Sequence, residues 1–288
     1  MSLSRSMIRL ESYGDSLKKD DYQCHSRFKR AVNFFNGHSM VALVDRKIGP
    51  GPHHIIISGL DPQKAERLTI TAAELLLDDN RFPFASSCCY DSKIELGGTI
   101  DCDRFSANLE YFEHCLRQSA APKSLAFLLE RKRQPRWRSA LERSIAERMT
   151  AGSKLIFGQD FLAGIKMFKG LGFGLTPSGD DFIGGVLLAL HCGQKIFKRD
   201  FRRTIKSVYR LASGGNPFSN MMLAYASQGR AIGKIKDLLA ALIYGGEKNV
   251  CKCTKQLRAI GHSSGIDFGI GLLLTFKKLK RNKGGKWW

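Results

Sequence analysis

The stretch GLGFGLTPSGDDFIGGV at residues 170–186 decides how this chain is interpreted. Gly172 and Gly174 allow a loop to approach a ligand closely, and the apolar spacing that follows predicts a helix over residues 179–192. The backbone N–H groups at a helix start have no partner within the helix and lie at the positive end of its dipole, so they suit an anion. The stretch therefore predicts an anion-binding helix start.

A second copy of this helix start lies 86 residues further along the chain. SGDDF at residues 178–182 and SGIDF at residues 264–268 differ only at the third position, and an apolar helix with small residues is predicted after each. We interpret the pair as an internal repeat. The two copies, called here the first turn (residues 176–181) and the second turn (residues 262–267), are expected to face one another across a common pocket.

The two turns and the glycine loop before the first turn supply every residue that we predict for the site. The candidate substrate-binding residues are Gly172, Gly174, Thr176, Ser178, Gly179, His262, Ser263, Ser264 and Gly265. The candidate catalytic residues are Asp180, Asp181 and Asp267. Asp180 or Asp181 could act as a base or hold Mg²⁺ through water. We predict no metal-binding cluster, and Mg²⁺ is the one cofactor considered.

A purely structural interpretation of the same residues is a pair of capping boxes. Ser178 and Ser264 would bond the amide three residues on, while Asp181 and Asp267 would reach back to the capping residue. Asp180 has no part in such a box, and Ile266 takes its place in the second turn. The carboxylate of Asp180 is therefore predicted to be available for catalysis or for a metal ion.

Two other catalytic motifs are disfavoured by their context. GHSSG at residues 261–265 has the spelling of a nucleophile elbow with Ser263 as nucleophile, but it lies between two predicted helices instead of following a strand. The glycines at 172 and 174 also follow no strand, so the dinucleotide-binding fingerprint fails.

Outward from the two turns, the pattern predicts an α+β fold. Period-two runs predict strands at 31–35, 40–44, 54–58 and 93–101, with hairpins at Asn36-Gly37 and at residues 49–52 and one helix over 71–78. Helical spacing takes over after Ala107 and predicts helices at 124–133, 139–149, 159–168, 179–192, 200–212, 217–227, 234–244, 248–260 and 265–278. We predict a β-rich domain over residues 1–110 and a helical domain over residues 111–288.

Charge is the unusual bulk property of the chain. Its 288 residues include 46 Lys and Arg against 26 Asp and Glu, which gives a net charge of +20. With 43% hydrophobic residues the chain can bury a core, so a disordered protein is excluded. The basic runs at residues 131–138 and 277–286 suggest an alternative function, the binding of nucleic acid or an acidic partner without catalysis.

The chain is expected in the cytoplasm. No signal peptide is expected at the N-terminus, and the longest apolar runs, at residues 182–192 and 270–276, fall short of the ~20 residues of a membrane span. The eight cysteines have no C-x-x-C pair, and we expect them to be reduced.

The two motifs, GLGFGLTPSGDDFIGG at 170–185 and AIGHSSGIDFGIG at 259–271, resemble a bacterial family. Its named member is the third subunit of oxamate carbamoyltransferase in allantoin breakdown, a part of purine catabolism, and members have also been classed as carboxylases of unknown function. Ser26-x-Phe28, the strands to Val44 and the 49–52 turn are also similar, so the resemblance covers about residues 25–276.

The resemblance implies transfer of a carbamoyl group between oxamate and phosphate, in a complex with other subunits. Phe173 in the glycine loop and His262 depart from the small residues expected there. The sequence therefore predicts only the class of the substrate, a small carboxylate or an acyl phosphate.

Overall fold

Strands occupy the first part of the chain and helices the second, so the predicted α+β class is confirmed. The computed structural model describes residues 8–130, 132–133, 138–158 and 160–281. The chain divides into two units, one running to Lys93 with Ala231–Gly233 added, and the other comprising Ile94–Arg230 and the residues from Lys234 onward. Residue 110, the predicted domain boundary, lies inside the first long helix.

The strands of the first unit form one sheet in the order β8-β7-β6-β2-β3-β4-β5-β1-β9. They are β1 (Arg9–Gly14), β2 (Asp20–Phe28), β3 (Ala31–Phe35), β4 (Met40–Val44), β5 (His54–Ser58), β6 (Arg67–Ile70), β7 (Glu74–Leu77), β8 (Asn80–Pro83) and β9 (Cys89–Tyr90). Large side chains such as Tyr22, Phe34 and Leu75 are fully buried in its core.

The hairpin predicted at Asn36-Gly37 is confirmed, but the one predicted at residues 49–52 is wrong. Strands β3 and β4 pair antiparallel, whereas β4 and β5 pair in parallel. The connection makes two successive turns, closed by bonds from Ile48 N to Asp45 O and from His54 N to Gly51 O. Because the chain reverses direction twice, β5 runs the same way as β4.

The helix predicted over residues 71–78 is also wrong. Thr71 Oγ1 accepts the backbone N–H of Glu74 (3.0 Å) and so closes a tight turn instead of capping a helix. Strand β7 then returns along β6, with Ile70 opposite Leu75. Leu75 and Leu77 are buried and Leu76 is half-buried between them, the alternation of a strand.

The strand predicted over residues 93–101 is absent from this described stretch, which holds only an isolated bridge at Lys93. Asp101, at its end, is the N-cap of helix α1 and accepts the amides of Asp103 and Arg104. Asp101, the last residue of the predicted strand, therefore caps the start of helix α1.

The helices of the chain are α1 (Cys102–Ser119), α2 (Ala140–Phe157), α3 (Phe161–Phe168), α4 (Ser178–Ile196), α5 (Arg202–Ala212), α6 (Pro217–Ser227), α7 (Gly233–Tyr244), α8 (Glu247–Leu257) and α9 (Ser264–Arg281). The predicted helices are confirmed from α2 onward, while residues 124–133 contain a 3₁₀ helix over Leu125–Leu128. Helix α1 is absent from the sequence prediction. No described helix has the length and apolar character needed to cross a membrane.

Helices α4 and α9, which follow the two turns, pack closely against each other. A Cβ atom on Gly185 would lie 2.0 Å from the carbonyl oxygen of Phe268, and one on Gly271 would lie 2.1 Å from that of Phe182. Further along, a Cβ on Gly193 would meet Leu279. The helices therefore run in the same direction, and their N-termini lie side by side.

One pair of cysteines departs from the reduced state expected from the sequence. Cys115 of α1 and Cys251 of α8 form a disulfide, with 5.7 Å between their Cα atoms. The two residues are separated by 136 positions, and no spacing motif could have revealed the pair. The other cysteines are free.

Candidate functional site

The two turns meet in space, as the repeat predicts. Thr176 Oγ1 of the first turn lies 3.5 Å from Ser264 Oγ of the second. The contact places the start of α4 next to the start of α9, so the positive ends of two helix dipoles lie together.

The capping-box interpretation is wrong for the first turn. Helix α4 begins at Ser178 itself, its N-cap is Pro177, and no side chain makes the capping bond. A complete capping box does occur in the chain, at α2, where Ser139 and Glu142 bond each other's backbone. Ser178 and Asp181 therefore do not form a capping box at the start of α4.

Glycines at both helix starts allow close backbone approach. A Cβ on Gly179 would lie 1.9 Å from the carbonyl oxygen of Phe168, and one on Gly265 would lie 2.0 Å from that of Leu257. Gly172 has a φ of +118°, and a Cβ there would lie 2.6 Å from the amide nitrogen of Ser178. These positions hold the loop and the preceding helices against the two turns.

Several amides of the helix starts are already bonded to loop carbonyls. Gly179 N donates to Leu171 O, Gly265 N donates to Ile260 O, and the amides of Asp180 and Asp181 both reach Pro177 O. The expectation that these amides are unpaired is therefore wrong. Hydroxyl and carboxyl groups are the polar side-chain groups that the two turns share.

Asp180 is not the free carboxylate predicted from the sequence. Its Oδ1 accepts the backbone N–H of Gly170 at 2.7 Å, and the residue is buried. Because the bond spans ten residues, Asp180 fixes the beginning of the glycine loop to the start of α4.

Asp181 and Asp267 are the unusual carboxyl groups of this site. They are 1% and 0% exposed, and within the described part of the chain Oδ2 of each has no hydrogen-bond partner. Asp267 Oδ1 accepts the N–H of Leu125, from the 3₁₀ helix, at 2.7 Å. Each carboxyl thus keeps one buried oxygen without a partner, a costly arrangement for a carboxylate.

Hydroxyl groups of both turns act on these two carboxyls. Burial raises the pKa of Asp181, and the hydroxyls of Ser264 in the second turn and of Thr176 oppose that rise. Burial also raises the pKa of Asp267, and the hydroxyls of Ser178 in the first turn and of Ser263 oppose it. Each turn therefore supplies a hydroxyl that acts on the carboxyl of the other.

Both carboxyls have raised pKa values. Burial is the main cause of the pKa of Asp181 lying well above its usual value, and the neighbouring charge of Asp267 adds to it. Burial also raises the pKa of Asp267 to about 7, against the lowering effect of the Leu125 amide and of the Ser178 and Ser263 hydroxyls. Both carboxyls are therefore protonated to a larger extent near neutral pH than an exposed aspartate would be.

The outer part of the site is formed by exposed residues. Phe173, at the tip of the glycine loop, is 54% exposed, and Gly174 and His262 are exposed as well. Ser263 follows helix α8 and its turn, not a strand, so the context of a nucleophile elbow is absent there. The polar and aromatic groups beside the two turns are accessible from solvent.

No group of three or more His, Cys, Asp or Glu residues that could hold a metal is present in the described ranges. Binding of Mg²⁺ through water at Asp180 or Asp181 stays a prediction. The described polar contacts of both residues are with protein groups.

The basic runs fall largely outside the described residues. Of residues 131–138 the structure describes only 132, 133 and 138, and the tail is described as far as residue 281. Lys277 pairs with Glu110 (2.9 Å) and with Glu113. The positive charge of Lys277 is therefore paired with carboxylates of the same protein.

Two contacts of the site could not be found from sequence motifs. The Leu125 amide reaches Asp267 across 142 residues, and Asn216 Nδ2 donates to Leu175 O in the loop at 2.8 Å. Asn216 stands before Pro217 and caps α6, so its local signal is that of a helix cap alone.

No solved structure matches the chain. Residues 168–276, which contain both turns, match the family model of oxamate carbamoyltransferase subunit AllH. This match confirms, over those residues, the family resemblance that the two motifs indicate.

Proposed function

We propose that the chain is a carbamoyltransferase-related subunit that binds a small carboxylate or acyl phosphate where the first and second turns meet. The observation that carries the proposal is the contact between Thr176 and Ser264 (3.5 Å), which joins the two helix starts inside the family-matched segment. The reaction implied by the family is carbamoyl transfer between oxamate and phosphate.

The electrostatics of the paired helix starts support an anion as ligand. Two parallel helices place their positive ends together, and each end favours a negative charge by about 0.3–1 kcal/mol. Burial raises the pKa of both Asp181 and Asp267. Because a protonated carboxyl carries no charge, the raised pKa values weaken the repulsion that these two residues would exert on an anion.

The reaction needs orientation and charge stabilisation more than a nucleophile from the protein. The C–O bond between the carbamoyl group and phosphate breaks, a C–N bond to the oxamate nitrogen forms, and the proton of that nitrogen leaves. Groups that hold both anions in line supply much of the rate. We assign the binding of the anions to the exposed part of the two turns. The remaining contacts with the substrates are assigned to other subunits of a cytoplasmic complex.

The predicted catalytic residues take different parts in this proposal. Asp180 fixes the loop through Gly170, and Asp181 and Asp267 are buried, as is Ser178. The substrate would then touch the more accessible Thr176, Ser264 and His262 first.

Calorimetric titration of the purified chain with oxamate, phosphate and carbamoyl phosphate, with and without Mg²⁺, tests the proposal. We expect at least one of these anions to bind, and Ser264→Ala to weaken its binding. Ser139→Ala is the matched control, because it removes a helix-capping hydroxyl at α2. Failure of all three anions to bind, or equal weakening by both substitutions, would contradict the proposed site.

A second candidate function rests on the exposed cationic face of α5. Arg202, Arg203, Lys206 and Arg210 are all exposed along this helix. Such a face would attract a nucleic acid or an acidic partner, and the binding would weaken as salt rises. A gel-shift titration with DNA and RNA at low salt tests it, and absence of any shift there removes it.

A further inference from the structure

We propose that Arg258, the C-cap residue of helix α8, supplies the cation of the anion site and binds the carboxylate or phosphate group of a ligand held where the two turns meet. The inference rests on the proposed function and deepens it. It assigns a binding task to a residue that lies outside both turns and outside both sequence motifs.

The two turns and the glycine loop contain acids but no permanent cation. Their acidic residues are Asp180, Asp181 and Asp267, and they contain no Lys or Arg. His262 is their one basic residue. Helix dipoles attract an anion only weakly where the helix start is open to solvent. Tight binding of a small anion therefore calls for a cation from a neighbouring element.

Lys169, which precedes the glycine loop, is already engaged elsewhere. Its ammonium group donates to Leu211 O at 3.0 Å and to Ser213 O at 2.5 Å, two carbonyls at the C-terminal end of α5. An ammonium group has three hydrogens to donate, and two of them are directed to these carbonyls. Lys169 thus stabilises the end of α5, and the cation of the site has to come from another position.

Arg258 lies beside the second turn because residues on both sides of it contact Gly265. A Cβ on Gly265 would lie 2.0 Å from Leu257 O, and Gly265 N donates to Ile260 O at 3.0 Å. Since Arg258 follows Leu257 directly, its backbone lies next to the start of α9. The second turn is therefore within reach of a side chain as long as arginine.

The guanidinium group of Arg258 is available for a ligand. Arg258 is exposed, and among the residues that the structure describes its side chain has no ion pair and no hydrogen bond. Its backbone N–H is bonded to Thr254 O at 3.1 Å. A guanidinium group offers two parallel N–H groups to a carboxylate or phosphate, so one arginine both binds and orients such a ligand.

The charges along α8 favour the approach of an anion to this end of the helix. Lys248, Lys252 and Lys255 are exposed, and Arg258 continues their spacing of three or four residues, so the four cations lie on one side of the helix. Such a row raises the local concentration of anions. Cations at the C-terminal end also stabilise a helix through its dipole, so the test has to separate the two roles.

Calorimetric titration of the full chain with oxamate and with inorganic phosphate tests the assignment. We expect Arg258→Gln to weaken the binding of whichever anion the parent binds by about tenfold or more. Arg258→Lys keeps the charge but loses the paired N–H groups, so it should recover only part of the affinity.

Lys195→Gln is the matched control. Lys195 is also an exposed cation at the C-terminal end of a helix, but it lies about 25 Å along α4 from the first turn, at 1.5 Å per residue. We expect this variant to bind the anion as tightly as the parent. In the absence of ligand, both substitutions should change the thermal unfolding temperature to a similar, small extent, because each removes one cation from a helix end.

The salt dependence of binding gives a second readout, which a purely structural role would not change. The affinity of the parent and of Lys195→Gln should fall as the concentration of sodium chloride rises. The fall should be smaller in Arg258→Gln, because one of the charges that attract the anion is absent.

The outcomes separate this inference from the proposed function. If neither anion binds the parent, both are contradicted. If Ser264→Ala weakens binding while Arg258→Gln binds as tightly as the parent, or only as weakly as Lys195→Gln, the inference about Arg258 fails alone. If Arg258→Gln weakens binding and Ser264→Ala does not, the anion lies away from the turns, and the place of the site in the proposed function is wrong.

Discussion

Thr176 Oγ1 at the start of α4 lies 3.5 Å from Ser264 Oγ at the start of α9. Burial raises the pKa of both Asp181 and Asp267, and the rise is opposed in Asp181 by the hydroxyl of Ser264 and in Asp267 by the hydroxyl of Ser178. Residues that look like two separate helix caps in the sequence thus form one crossed arrangement, in which a hydroxyl of each turn acts on the carboxyl of the other. The two carboxyls and the two serines should therefore respond to substitution as a coupled group.

The first prediction concerns stability as a function of pH. Burial raises the folded-state pKa of Asp267 to about 7, so the folded protein binds more protons than the unfolded chain between about pH 4 and that value. The resulting stabilisation is fully present below about pH 4 and is lost as pH rises through 7, a loss on the order of 4 kcal/mol. Asp267→Asn should remove this loss, making the variant more stable than the parent at about pH 8.

Urea unfolding of parent and variant at about pH 4.5 and pH 8 measures the effect. Asp101→Asn is a control of opposite sign. The hydrogen bond that the Asp101 carboxylate accepts from the backbone N–H of Arg104 lowers the pKa of Asp101, so the contribution of that residue is lost as pH falls instead. A stability difference between Asp267→Asn and the parent that is the same at both pH values would contradict the assignment.

The second prediction separates Asp180 from its neighbour. Because Asp180 Oδ1 holds the Gly170 amide, Asp180→Ala should lower the free energy of unfolding by about 1–3 kcal/mol. Asp180→Asn retains an oxygen acceptor and should cost less. Thermal unfolding of both variants provides the measurement, and equal effects of Ala and Asn would show that the bond to Gly170 contributes nothing.

The repeat made the meeting of the two turns predictable from the sequence. Which hydroxyl acts on which carboxyl could not be predicted, because a capping box and the crossed arrangement use the same residues, Ser178 and Asp181. Only tertiary packing, through Gly185 and Gly271, distinguishes them. Asp180 was misjudged for a related reason, since its partner is a backbone amide that has no signature in the sequence.

The strands show the same limit of local patterns. β3, β4 and β5 were predicted with their observed bounds because their runs are apolar and β-branched. A helix is predicted over the segment that forms β7 because Thr71, a residue type that often caps helices, precedes it. In the structure the Thr71 hydroxyl closes a turn between two strands. The sequence alone does not reveal this, because threonine is equally suited to capping a helix.

The third prediction counts thiols. The chain has eight cysteines, and the Cys115–Cys251 disulfide leaves six of them free. Titration of protein that was unfolded without reductant should therefore find six thiols, and the number should rise to eight after reduction. Cys115→Ser should expose the Cys251 thiol. Eight thiols before reduction would instead support the reduced state expected from the sequence.

The last prediction tests the close packing that brings the turns together. A Cβ on Gly271 would lie 2.1 Å from the backbone oxygen of Phe182, and one on Gly185 would lie 2.0 Å from that of Phe268. Neither oxygen can move without displacing a helix, so either glycine replaced by Ala should lower the free energy of unfolding by about 1–3 kcal/mol or more.

Gly215→Ala is the matched control, because a Cβ at Gly215 meets nothing within 4 Å. The displaced helices would also separate Thr176 from Ser264, so oxamate binding should weaken in Gly271→Ala under conditions where the variant is still folded. Denaturant titration combined with calorimetry measures both effects. If Gly271→Ala were as stable as Gly215→Ala, α4 and α9 could not be packed as closely as the structure has them, and the contact between Thr176 and Ser264 would lose its geometric basis.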